Sequence, residues 1–173
     1  MTEIWSNSSA LLSTASEDEI FAYTQGLCHV FALALHRTTG WPMMAVLDQD
    51  NRWWADEEDE DNFIPSVVHV FCLDGEGNAW DIRGRRPLHT VREEMEGWTR
   101  IREYDSDEIF SQAELTYYCG CWGEDGAEAI ERPLVELEEN EIGEAMEIAT
   151  RVLAGIPGFP VMDDEPLPEM ASL

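Results

Sequence analysis

The chain has no lysine. All ten of its basic residues are arginine, and they stand against 37 acidic residues, for a formal net charge of −27. A surface of that sign repels phosphate backbones and anionic headgroups, which excludes DNA, RNA and acidic membranes as direct partners. It suits a basic protein instead. One reading of the charge is therefore a non-catalytic acidic inhibitor, or nucleic-acid mimic, seated on a basic nucleic-acid-binding partner. Plain solubility, or a salty environment, explains the same charge without any partner. Long apolar runs are also missing: nothing approaches the roughly 18 to 20 residues needed to span a bilayer, and Met1 to Asn7 lack the blocks of a secretion signal. Cysteine is scarce. Cys28, Cys72, Cys119 and Cys121 are the only ones in 173 residues, and their spacing is not that of a small disulfide scaffold. The expectation is a soluble, cytoplasmic protein with reduced thiols, and nothing in the spacing calls for a cofactor.

Apolar and aromatic residues are well represented. Hydrophobic residues make up 44% of the chain, with seven Trp, six Phe and four Tyr, which is too rich for a disordered acidic segment. Length and pattern predict a single α+β domain over residues 1–155, with a polar N-terminal lead-in, and an acidic, Pro-containing tail over 156–173. Ser16 and Glu19 have capping-box spacing, and Gln25-Gly26 ends the short helix that they begin. From Cys28 to about His36 the run is apolar on nearly every face, which predicts a central, buried helix packed on an antiparallel sheet. Met43 to Asp48 and Val67 to Leu73 read as strands, separated by the acid run Asp56 to Asp61 and by Pro65-Ser66, which mark an exposed loop. Ile82 to Pro87 is expected to leave the sheet, a capping box at Thr90 to start a helix through Leu88, Val91, Met95 and Trp98, and Thr99 to Tyr104 to form a strand. Residues 106–118 fit a weak helix, and Asn140 to Leu153 a clear amphipathic one.

Cys28 stands at the start of the central helix, where unpaired N–H groups and the positive end of the dipole favour a thiolate. His69 lies on a later strand and Asp81 on the next, after the turn Asp74-Gly75-Glu76-Gly77-Asn78. A three-residue loop with Gly77 in the left-handed region sets Asp81 opposite Phe71 and diagonal to His69. A two-residue loop puts them on opposite faces. In the first register the residues form a nucleophile (Cys28), a base (His69) and a group that orients the base (Asp81), with the Cys28 N–H and the Gln25 amide as donors to a negative intermediate.

This order resembles the papain-like or transglutaminase-like cysteine superfamily over about residues 20–85: Gln25 on a turn, Cys28 opening the central helix, His69 on a strand and Asp81 on the following strand. His29-Val30 follow the cysteine where the family usually carries tryptophan. The resemblance implies Cys28 as nucleophile, His69 as base, Asp81 as orienting residue and Gln25 as oxyanion donor. It implies a thiol hydrolase or acyltransferase acting on amide, peptide or isopeptide bonds, and the charge adds a basic protein or peptide as substrate.

Other readings use the same residues. Cys28 could be a core cysteine, since free cysteines are among the most buried residues. Cys119-Gly120-Cys121 could join a histidine in a zinc site, although C-x-C with no second pair is a weak metal signal and no metal site is assigned. Trp53, Trp54 and Trp98 could line a cleft or belong to the core.

Overall fold

The computed structural model describes residues 11–54, 63–98, 104–119 and 137–155. Ser16 caps the first helix, α1 (Glu17–Thr24): its side chain accepts from the Glu19 N–H while the Glu19 carboxylate accepts from the Ser16 N–H, as the spacing predicts. Gly26, with φ at 101°, turns the chain directly into α2 (Cys28–Thr39). That helix buries every residue from His29 to Leu35, because the sheet covers one side and a late helix, α5 (Glu139–Ala154), covers the other. Gly40 in the left-handed region closes its far end, with its N–H on the His36 carbonyl.

Six strands form one antiparallel sheet in the order β1-β5-β4-β3-β2-β6. They are β1 (Leu11–Leu12), β2 (Met43–Trp54), β3 (Phe63–Leu73), β4 (Asn78–Asp81), β5 (Gly84–Pro87) and β6 (Tyr104–Ile109). Helix α3 (Leu88–Trp98) follows β5 and α4 (Gln112–Cys119) follows β6, so the chain is α+β with its central helix on the sheet. The alternation along the strands sorts the core by face. Met43, Ala45, Leu47, Val70 and Cys72 join α2, α4 and α5 in the larger cluster, while Met44, Val46 and Phe71 meet Val91 and Met95 of α3 on the other side.

Several expectations change. Ile82 to Pro87 does not leave the sheet: a tight turn at Ile82-Arg83 returns the chain as β5, pairing Asp81 with Gly84 and Asn78 with Pro87. Gly84, at φ 98°, permits that return. Leu11-Leu12, expected in the lead-in, adds β1 beyond it. Pro65 and Ser66 lie inside β3, opposite Arg52 and Asp48. Proline is tolerated there because β4 pairs with β3 only at Cys72 and Leu73, so no ladder on that side needs its missing N–H. Thr90 is not an N-cap. Helix α3 already begins at Leu88, and the Thr90 hydroxyl donates to the Pro87 carbonyl at 2.7 Å. Tyr104–Ile109 is a strand fixed by pairing with β2, while the rest of the strand expected over Thr99 to Tyr104 lies outside the described residues, and a helix follows with Leu115 and Cys119 buried. Residues 1–10, Asp56 to Asp61, Cys121 and the tail lie outside the described residues, as do the side chains of Trp53, Trp54 and Trp98. Among the described residues, no helix is long and apolar enough to cross a membrane.

Candidate active site

The β3–β4 turn decides whether a site exists. Cys72 pairs with Trp80 and Leu73 with Ala79, leaving Gly75-Glu76-Gly77 as a three-residue loop with Gly77 at φ 79°. The Asp74 carboxylate builds this turn. It accepts the N–H groups of Glu76 and Asn78 at 2.9 Å, the Trp80 indole N–H at 2.9 Å and Arg85 Nε at 2.9 Å. This register places Asp81 across from Phe71, whose ring stacks beside His69 on the same face, with centroids 5.9 Å apart. Opposite the step from Val46 to Leu47 on β2, a bulge in β3 leaves Val68 without a β2 partner next to His69, and such bulges re-aim neighbouring side chains.

His69 and Asp81 meet. His69 Nε2 donates to Asp81 Oδ2 at 3.0 Å, with only 2% and 4% of the two side chains exposed. That bond fixes the tautomer and leaves Nδ1 for the other side of the ring. Cys28, the first residue of α2, lies close enough to His69 for a side-chain hydrogen bond and the mutual charge to shift both groups. Cys28, His69 and Asp81 thus form a continuous line of contacts.

The charges match that line. Burial alone would push the Cys28 thiol up, but hydrogen bonds from His29 and His69, with the charge of His69, bring it down to about 5. Burial alone would lower His69, yet the Asp81 hydrogen bond and the Cys28 contact raise it to about 9. Both shifts run in the direction that favours a thiolate–imidazolium pair. Asp81 is held far below the carboxylate range: burial opposes this, and His69 and the neighbouring arginines overcome it. The other described thiols behave differently. Burial raises both Cys72 and Cys119, and Cys72 Sγ donates to the Ala32 carbonyl at 3.2 Å, as expected of inert core cysteines. Of the three, Cys28 is half-buried, whereas Cys72 and Cys119 are buried.

Gln25 is placed differently. Its side chain is exposed at the C-terminal cap of α1, and its backbone N–H is engaged with the Phe21 carbonyl at 2.9 Å. The donors nearest the sulfur are those of the α2 start, where the N-cap is Leu27 and no side chain caps the helix. Two contributors escaped the sequence reading. His29, fully buried, adds a hydrogen bond to Cys28, and only its place beside the cysteine hinted at it. The arginines after Asp81 hold that carboxylate: the Arg83 N–H donates to Oδ1 at 2.9 Å, and Arg83 Nη2 and Arg86 Nη2 donate to Oδ2 at 2.7 and 2.6 Å. Three of the chain's ten arginines sit at 83, 85 and 86, which was the available signal. His36, on the last turn of α2, donates from Nδ1 to the Trp41 carbonyl at 2.7 Å. Among the described residues, no group of three or more His, Cys, Asp or Glu could hold a metal ion.

Comparison with protein-family models, curated proteins and solved structures finds no match to this chain.

Proposed function

We propose that this protein is a cysteine-nucleophile hydrolase or acyltransferase acting on an amide, peptide or isopeptide bond, with papain-like or transglutaminase-like chemistry. The line of contacts from Cys28 at a helix start, through buried His69, to Asp81 carries this reading. A structural cysteine needs none of these partners. The Cys28 thiolate attacks the carbonyl carbon, and the displaced electron pair moves to oxygen, facing the uncapped N–H groups of the first turn of α2. His69 gives its Nδ1 proton to the leaving nitrogen as the C–N bond breaks, leaving a thioester on Cys28. Neutral His69 then takes a proton from water, giving hydrolysis, or from an amine, giving acyl transfer. Asp81 keeps the imidazole in one tautomer and stabilises its charged form. The net charge of −27 favours a basic protein or peptide as substrate, and the reduced thiol chemistry fits the cytoplasm.

The test uses p-nitrophenyl acetate and intact-protein mass spectrometry. The expected result is an acetyl thioester on Cys28 that turns over, no adduct in Cys28→Ser, and in His69→Ala an adduct that forms slowly and persists. Equal turnover by wild type and Cys28→Ser would refute the proposal.

A further inference from the structure

The buried carboxylate of Asp81 is shared. Its Oδ2 faces His69 Nε2 and, at the same time, Nη2 of both Arg83 and Arg86, so the guanidinium groups compete with the base for one oxygen. The arginines are themselves shared. Arg83 Nη1 donates to Glu94 Oε1 at 2.7 Å and Arg86 Nη1 to Glu94 Oε2 at 2.5 Å, so each spans from Asp81 on β4 to Glu94 on α3. Two carboxylates and two guanidiniums close a ring whose formal charge is zero. Arg86 even leaves its buried Nε without a partner in order to reach both carboxylates. An orphaned buried donor is costly, so this fork is held by its two ends rather than by full satisfaction of its donors.

We propose that Arg83, Arg86 and Glu94 are positioning residues for the reaction assigned to Cys28 and His69. The arginines and Glu94 set the net charge beside the Asp81 carboxylate, Glu94 offsetting the two guanidiniums so that Oδ2 stays available to the imidazole. The proposal rests on the cysteine-nucleophile reading. Among the described residues, the ionisable groups around His69 are Cys28 and His29 from α2, Asp81 from β4, Arg83 from the turn, Arg86 from β5, Glu94 from α3, and Cys119 of α4 beside Cys28. Removing Glu94's charge leaves the ring net positive, which favours the deprotonated form of both members of the thiolate–imidazolium pair. Removing Arg86's charge does the reverse.

The test is the pH profile of Cys28 reacting with an aromatic disulfide such as dithiodipyridine, whose acid and alkaline inflections report the two groups. Glu94→Gln is expected to move both inflections to lower pH by about half a unit, and Arg86→Met to move both to higher pH by a similar amount, the scale of one charge a few ångströms beyond contact in a partly screened site. A purely structural role loosens the ion pair instead, moving the inflections toward each other in both variants. That result, or unmoved inflections, would overturn the proposal. Glu94→Gln preserves shape at a partly exposed position, so it carries the test if Arg86→Met fails to fold. A wild type with no acid inflection refutes the cysteine-nucleophile reading itself, a result distinct from unshifted variants.

Discussion

A thiol whose pKa lies near 5 is not simply faster than an ordinary one, and this makes the reactivity of Cys28 a quantitative test. At pH 6 about nine-tenths of such a thiol is thiolate, against about a thousandth of one at the ordinary value of 9, a ratio of ~900. Nucleophilicity falls as basicity falls, with a Brønsted slope of about 0.4 to 0.5 for disulfide reagents, so four units cost a factor of ~40 to ~100. The net expectation is that Cys28 reacts about tenfold faster than an unperturbed accessible thiol at pH 6, matches it near neutrality, and falls behind by ~20-fold or more at pH 9. The crossing of the two profiles, rather than speed at one pH, is the signature of the pair.

The assay is release of thiopyridone from dithiodipyridine in a Cys121→Ser background, with a short cysteine peptide as reference. Cys72 and Cys119 are buried and stay silent on the same timescale. Replacing His69 with alanine removes one of the two histidine hydrogen bonds and the opposing charge, so the acid inflection moves upward and the advantage at pH 6 disappears. A wild-type profile with its only inflection between pH 8 and 9, or a profile that His69→Ala leaves unchanged, would refute the thiolate–imidazolium assignment.

Two further predictions concern the scaffold. Asp74 is held down to about 2 by the hydrogen bonds of its turn and by Arg85, against burial, so it contributes stability that is present above its ordinary value near 4 and lost as pH falls through 2. The melting-temperature gap between wild type and Asp74→Asn therefore narrows steadily between pH 4 and 2, and a constant gap would show that the carboxylate's charge is not what the turn uses. Gly40→Ala is expected to cost about 1–2 kcal/mol for left-handed backbone alone, since an added Cβ meets nothing within 4 Å, whereas Gly75→Ala, equally open but without positive φ, stays within ~0.5 kcal/mol in urea unfolding.

How much of this was legible depended on whether the determinant was local. Ser16-to-Glu19 spacing, Gly26, the apolar run of α2 and the Ile142-to-Leu153 face of α5 are local signals, and each produced its element within a few residues. The Gly75-Glu76-Gly77 loop length was also local. Because side chains alternate along strands, it carried the register that joins His69 to Asp81. What failed was set by distant partners. Arg83 to Pro87 looks like a charged exit from the sheet, and becomes a strand because Asp81 and Asp74 accept its guanidiniums. Tyr104–Ile109 is acidic and poor in β-formers, and is a strand because β2 offers it an edge. Glu94 gave no signal at all, since its role exists only once β5 brings Arg83 and Arg86 under α3.

The caps of the helices separate scaffold from site. Helices α1 and α5 each begin with a capping box, in which the carboxylate of Glu19 or Glu141 accepts from the N-cap N–H. Helix α2 has Leu27 at its N-cap, whose side chain offers no acceptor, although a serine or aspartate there is worth about 1 kcal/mol. Its stability has other sources: Leu33 and Leu35 are fully buried, Gly40 closes its C-terminus, and Arg37 ties it to Glu139 of α5 at 2.9 Å. With those supports the N-terminal end can stay uncapped. An aspartate at position 27 would satisfy its donors, but it would also set a carboxylate against the Cys28 thiolate and raise the very pKa that the two histidines lower. A leucine packed against the core avoids that charge and, on the proposed reaction, leaves the helix start without a competing acceptor where a carbonyl oxygen would gain negative charge as Cys28 attacks. The weakest cap among these three helices therefore stands at the one N-terminus where a strong cap would oppose the proposed chemistry.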